Sequence, residues 1–168
     1  MKLRFNENEL IEYANRYQYE TDDILSNLSI SVKQKKYLTR DEFIKICAWK
    51  TPRSKPKVAS NQKEYIEEIT KISLTTESDQ LRIEVLTLLN GVSWPTASTI
   101  LHFCHNKEFP IIDFRALYSL GFDAIPNKYD YPFWKKYTKY CRSLSDKLKL
   151  DLRTIDRGLW QYSKENQK

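Results

Sequence analysis

Residues 81–121 read LRIEVLTLLN GVSWPTASTI LHFCHNKEFP IIDFRALYSL G, and this stretch decides the fold. It predicts a helix, a tight turn at Asn90-Gly91, a second helix opening near Pro95, a short loop over residues 107–110 and a third helix beginning beside Asp113. Leu81, Val85, Leu86, Leu88 and Leu89 give the leading helix a broad apolar face; Ala97, Ile100, Leu101 and Cys104 recur at helical spacing in the next. Asn and Gly both tolerate positive φ, and Pro95 suits a first helical turn, where its missing amide proton costs nothing. Ser93 stands as the N-cap. The amides of residues 91–93 and of the following first turn then point outward together, which makes an anion site of the kind that grips a phosphate.

Leu89-Asn90-Gly91-Val92-Ser93, then Thr96-Ala97, then Ile111-Ile112-Asp113 together resemble the helix-hairpin-helix DNA glycosylase superfamily (HhH-GPD) that includes endonuclease III and the adenine glycosylases. The family pattern is Leu-Pro-Gly-Val-Gly, two variable residues, Thr-Ala, and a catalytic Asp after the second hairpin helix. Here Asn90 replaces the usual Pro and Ser93 the second Gly. Pro95 stands where the lyase-competent members carry a lysine nucleophile, so the resemblance implies hydrolysis without strand cleavage. It also implies an all-α, two-lobed helical bundle wrapped around one cleft. About a quarter of the chain carries the match closely, and the remainder only by its helical character.

Composition agrees with a helical protein. The 168 residues hold only three glycines, no sustained period-two alternation and no internal repeat, so a single compact all-helical unit is expected over residues 1–168, with residues 164–168 frayed. Cys47, Cys104 and Cys141 are odd in number and far apart, and read as reduced thiols in a cytoplasmic protein. No apolar run approaches the roughly twenty residues of a membrane span, and nothing near Met1 reads as a signal peptide.

The net charge of +6 is unevenly placed. Residues 32–57 hold nine Lys/Arg against two acids, a local +7; residues 125–168 hold eleven against five, a local +6; residues 1–31 and 58–89 each come to −3. Such segregation suits faces directed at a polyanion, and equally suits solvated lysine-rich surfaces.

Along the chain, Asn6 followed by Glu9 predicts a capped first helix, and Asp22-Asp23 opens a short second one ending near Ile30. Thr39 caps a helix over residues 39–50 with Phe43, Ile46, Cys47 and Trp49 on its apolar side. Two prolines then predict an extended loop that presents Arg53, Lys55 and Lys57 beside Lys50. Tyr65, Ile66, Ile69 and Ile72 form the inward side of the next helix. After a loop over residues 122–132, Trp134, Tyr137 and Cys141 share a face of a long helix, and Ile155, Leu159 and Tyr162 recur in the last. Its Asp156-Arg157-Gly158-Leu159-Trp160 looks like the closing helix that family members place against the catalytic lobe.

A lone Asp at a helix start is usually just an N-cap. The resemblance gives Asp113 its other role, stabilising the sugar cation formed as the N-glycosidic bond breaks and positioning the attacking water. It implies DNA contacts from Asn90, Gly91, Val92, Ser93 and Thr96. The basic stretch adds Lys50, Arg53, Lys55 and Lys57, with Lys107 as a further phosphate contact. Trp49 and Trp94 are the base-pocket candidates, although Trp49 at helical spacing reads first as a core aromatic. No metal, no cofactor and no iron–sulfur cluster is expected, because His102, Cys104 and His105 do not converge on one face and only Cys141 follows Asp113. The expected partner is double-stranded DNA, bound by a monomer. The leading reading is a monofunctional DNA glycosylase of base excision repair. The alternative is a non-catalytic helix-hairpin-helix binding module, in a repair or defence system.

Overall fold

The computed structural model of the protein describes residues 1–18, 22–124 and 129–167, the side chains of residues 22–24 excepted. Among the described residues all regular structure is helical, as α1 (Leu10–Asn15), α2 (Asp22–Lys35), α3 (Arg40–Lys50), α4 (Lys55–Ala59), α5 (Lys63–Thr75), α6 (Asp79–Leu86), α7 (Trp94–Cys104), α8 (Phe114–Ser119), α9 (Tyr131–Leu148) and α10 (Leu152–Asn166). The chain forms two compact units: Met1–Tyr19 with Pro110–Lys168, here the carboxylate unit, and Glu20–Phe109, here the hairpin unit. The expected 81–121 segment is therefore shared out, with the hairpin in one unit and Asp113 in the other.

In the hairpin unit, capping chemistry sets the helix starts. Thr39 Oγ1 accepts the Glu42 amide while the Glu42 carboxylate accepts from the Thr39 amide, which closes a capping box at α3. Ser78 Oγ accepts the Leu81 amide and opens α6. Helix α5 buries Ile66, Ile69, Thr70, Ser73 and Leu74, an i, i+3, i+4, i+7, i+8 stripe. Two buried hydroxyls are tolerated in it because Thr70 Oγ1 donates to the Ile66 carbonyl at 2.7 Å and Ser73 Oγ to the Arg82 carbonyl at 2.9 Å.

Four sequence expectations are corrected here. Tyr65 and Ile72 lie one position off the α5 stripe and are exposed rather than inward. Leu81 and Leu88 are exposed as well, since the eight-residue α6 buries Ile83, Val85 and Leu86 and ends at Leu86, with Thr87 as its C-cap. Helix α2 runs on past Ile30 to Lys35, ending where Lys36 adopts φ 64°. Residues 51–57 are not an extended loop: Pro52 opens a 3-10 turn, Pro52–Ser54, and Pro56 sits in the first turn of α4, positions where a missing amide proton is not needed. Val85, Leu86, Leu89, Ala97, Ile100, Leu101 and Cys104 are buried as expected, and so are Val92 and, in the other unit, Ile112.

In the carboxylate unit, α10 packs against α1 and α8. Gly158 makes the first of these contacts possible, because a Cβ there would stand 2.7 Å from the Leu10 carbonyl oxygen. The Lys2 amide donates to the Leu120 carbonyl at 3.1 Å and the Arg4 amide to Ser119 at 3.0 Å, fastening the N-terminal residues beside α8. Asn6 closes its capping box on a 3-10 turn, Glu7–Glu9, that leads into α1. Trp134, Tyr137 and Cys141 are buried on one face of α9, and Ile155 and Leu159 on α10, while Tyr162 is half-buried in a stack on Phe5. The regular hydrogen bonding of α10 continues to Asn166, so the helix covers part of the tail expected to fray. Pro126 and Lys128 of the expected loop lie outside the described residues, and Pro132 belongs to α9, which Asp130 caps.

Candidate functional site

The hairpin is built by three successive backbone turns. The amides of Leu88, Leu89 and Val92 donate to the carbonyls of Val85, Leu86 and Leu89, and Gly91 then takes φ 80°, a left-handed conformation natural to glycine. Asn90, which also tolerates positive φ, does not adopt it. Ser93 occupies the N-cap of α7 with extended backbone, its carbonyl accepting the Ala97 amide at 2.8 Å, but its side chain makes no cap bond. The capping hydroxyl therefore leaves the first-turn donors of α7 to other acceptors.

The side chains expected at this surface divide sharply. Ser93 is exposed and Trp94 half-buried, whereas Val92 and Thr96 are buried, so any contact they make is through backbone. Arg53, Lys55 and Lys57 are exposed and Lys50 is half-buried. Helix α4, which carries Lys55 and Lys57, reaches the hairpin at Lys57: a Cβ on Gly91 would meet Val58 Cγ2 at 2.9 Å and Lys57 Cβ at 3.1 Å. The buried side chain of Asn61, just beyond α4, completes the junction. Its Oδ1 accepts the Asn90 amide at 2.8 Å, and its Nδ2 donates to the carbonyls of Asn90 at 3.0 Å and Val58 at 2.8 Å.

Sequence reading missed Asn61 and this closeness of α4. An Asn after a short basic segment carries no signal by itself; only the partner carbonyls reveal it.

Trp49 sits half-buried with its ring edge-on to Phe103 of α7, centroids 5.3 Å apart. Lys107 lies beyond the C-terminal end of α7, where its Nζ pairs with Asp79 Oδ2 at 3.1 Å. The structure thus places it at the opposite end of α7 from Ser93.

Both histidines are committed within the hairpin unit. His102 donates from Nδ1 to the Phe109 carbonyl at 2.8 Å. His105 Nε2 accepts from Arg82 at 2.6 Å and its Nδ1 faces the Lys107 carbonyl at 3.0 Å. Burial lowers the His105 pKa, and the neighbouring Arg82 and Lys36 charges add to this against the Lys107 carbonyl. Among the described residues no three His, Cys, Asp or Glu side chains group to hold a metal.

In the carboxylate unit, residues 111–113 are irregular and buried, and Asp113 is the extended N-cap of α8. Its Oδ1 accepts the Ala116 amide at 2.8 Å. The fully buried Tyr137 of α9 donates its hydroxyl to the Ile111 carbonyl at 2.7 Å and so fixes the approach to Asp113. Burial first, then the Cys141, Asp156 and Asp113 charges, push the Tyr137 phenol well above its ordinary range; burial and the Asp113 charge raise Tyr129. Phe114, exposed, and Arg115 follow directly, the Arg115 guanidinium 4.9 Å from the Trp160 ring of α10. A carboxylate is thus held at a helix mouth by an apolar anchor, with a phenol, an aromatic and a cation close in the chain or in space.

No protein-family model matches the chain, and no curated protein matches its sequence. Among solved structures it is similar to the Methanocaldococcus jannaschii 8-oxoguanine glycosylase/lyase in complex with a 15mer DNA containing 8-oxoguanine, at 17% identity, covering 94% of this chain and 98% of that chain with a TM-score of 0.56. At that identity the likeness is one of fold, and the fold is all-helical among the described residues.

Proposed function

We propose that this protein is a monofunctional DNA glycosylase, which hydrolyses the bond between a damaged, modified or mispaired base and its deoxyribose and leaves the strand intact. The observation that carries the reading is Asp113, a carboxylate buried at the mouth of α8 in a fold shared along nearly the whole chain with an enzyme solved on lesion-containing DNA.

Each part then has a task. The hairpin amides and the cations of α4 hold phosphates of double-stranded DNA, and the target base leaves the stack at a cost of a few kcal/mol. As the glycosidic bond breaks, its electron pair leaves with the base and positive charge builds on the sugar. The Asp113 carboxylate stabilises that charge electrostatically, and water attacks the sugar carbon and passes its proton to a carboxylate oxygen. Strand cleavage would need an amine to form a Schiff base; Pro95, in the first turn of α7, has none. Base excision repair in the cytoplasm, by a monomer, is the setting that this chemistry fits.

One observation favours the non-catalytic binding module: the Asp113–Ala116 bond is an ordinary N-cap and gives Asp113 a structural reason to be there. A panel of duplexes carrying different lesions, assayed for alkali-revealed strand breaks, separates the two. Base release by the wild type that is absent in Asp113→Asn supports the enzyme. Tight binding with no release from any lesion supports the module.

A further inference from the structure

A buried side chain outside the hairpin motif is bonded to the hairpin turn. Asn61 is buried, and its amide group bonds both backbone polar groups of Asn90 while also holding the Val58 carbonyl. The pattern is that of a β-bridge made by a side chain. Asn supplies one acceptor and two donors on a planar head, which is the set that an N–H and two carbonyls require. Asp lacks the donors, and Ala lacks donors and acceptor alike, so the part-buried Asn90 groups would lose this partner.

A second contact reaches the same junction from the other side. Gly91 lies so close to α4 that an added Cβ would press on Val58 and on the Lys57 Cβ. Hydrogen bonds and close packing together fix α4 against the turn. Lys55 and Lys57 nevertheless keep their side chains in solvent.

We infer that Asn61 is a positioning residue that joins α4 to the hairpin, so that the hairpin amides and Lys55 and Lys57 grip neighbouring phosphates of one DNA strand as a single platform. The inference rests on the DNA-binding reading above and adds to it a coupling between two elements. Phosphates on one strand are fixed in spacing, so two grips help each other only when their own spacing is fixed. Asn61 fixes it without touching DNA.

The test is a double-mutant cycle on duplex binding, measured across a salt series with an undamaged 20-base-pair duplex. Lys55→Ala with Lys57→Ala in the wild-type background should lower the slope of log K against log salt by about 2, at roughly 0.9 per phosphate contact. In the Asn61→Ala background the same pair should change the slope by less than half as much, because α4 no longer delivers its lysines in register. Should Asn61→Ala not fold, Asn61→Asp keeps the acceptor for the Asn90 amide and loses both donors, and serves in its place; thermal unfolding verifies either variant. A lysine effect of equal size in both backgrounds would overturn the coupling while leaving DNA binding intact. Absence of any salt-dependent binding by the wild type would overturn the DNA reading itself, and the coupling with it.

Discussion

Asp113 Oδ1 and the Ala116 amide lie 2.8 Å apart, so the carboxylate proposed for chemistry also caps α8. Two roles on one side chain decide which substitution is informative. Asn caps as well as Asp, while Ala loses about 1 kcal/mol of cap. Asp113→Asn should therefore unfold at nearly the wild-type temperature and bind duplex within a small factor, yet release no base. Lost affinity or lost stability in that variant would assign Asp113 a structural role alone.

Borohydride added during turnover should trap no protein–DNA adduct, because Pro95 has no amine to form the imine. Gel mobility of labelled duplex after denaturation reads the outcome. A trapped covalent species would identify a lysine nucleophile elsewhere in the chain and end the monofunctional reading.

Replacing Lys50, Arg53, Lys55 and Lys57 together by Ala should flatten the salt dependence of duplex binding by as much as about 3.6 in slope. Fluorescence anisotropy between low and moderate salt measures it. An unchanged slope would mean that the phosphates are held elsewhere.

Stability should decline in two separate pH windows. His105 has a folded pKa below its ordinary 6.5, lowered by burial and then by Arg82, so below that pH the unfolded chain takes up a proton that the native chain resists, and stability falls with pH. Burial tends to raise the Glu42 carboxyl, but hydrogen bonds from Lys35 and Thr39 outweigh it and leave its pKa below 4.5; its contribution is present above that value and is lost as pH falls further. Thermal midpoints from pH 8 to 5 should drop less in His105→Gln than in the wild type. Equal drops would place the sensitivity at another group.

Gly158→Ala should destabilise the protein by about 2 kcal/mol, since the added methyl would meet the Leu10 carbonyl and side chain. Denaturant unfolding checks it. A neutral result would show that α1 gives way at no cost.

The helical class, the hairpin and the N-cap position of Asp113 were legible because each depends on local chemistry: a Gly free to take φ 80°, a Pro in a first turn, an Asp before an apolar helix. What escaped depended on partners distant in sequence. Asn61 meets Asn90 across 29 residues and Tyr137 meets Ile111 across 26, and neither residue type announces its partner. The prolines of residues 51–57 were read as helix breakers although both occupy first-turn positions, where they start helices. The expected faces of α5 and α6 are buried at Ile66, Ile69, Val85 and Leu86 but drawn too wide, and Tyr65, Ile72, Leu81 and Leu88 at their margins turn to solvent.

The division of the chain has a consequence for biosynthesis. The hairpin unit is continuous, so a ribosome delivers all of it before most of its neighbour exists. Residues 1–10 emerge before the partners on which they dock: the Lys2 and Arg4 amides need Leu120 and Ser119, and Leu10 needs Gly158 of α10. During translation Leu10, Ile11 and Tyr13 wait in an unpaired segment while more than a hundred residues follow. A stalled chain ending near residue 110 would carry the whole hairpin unit, an undocked apolar N-terminal segment and no Asp113. On the proposed function, such a nascent species would hold nucleic acid before it could act on it.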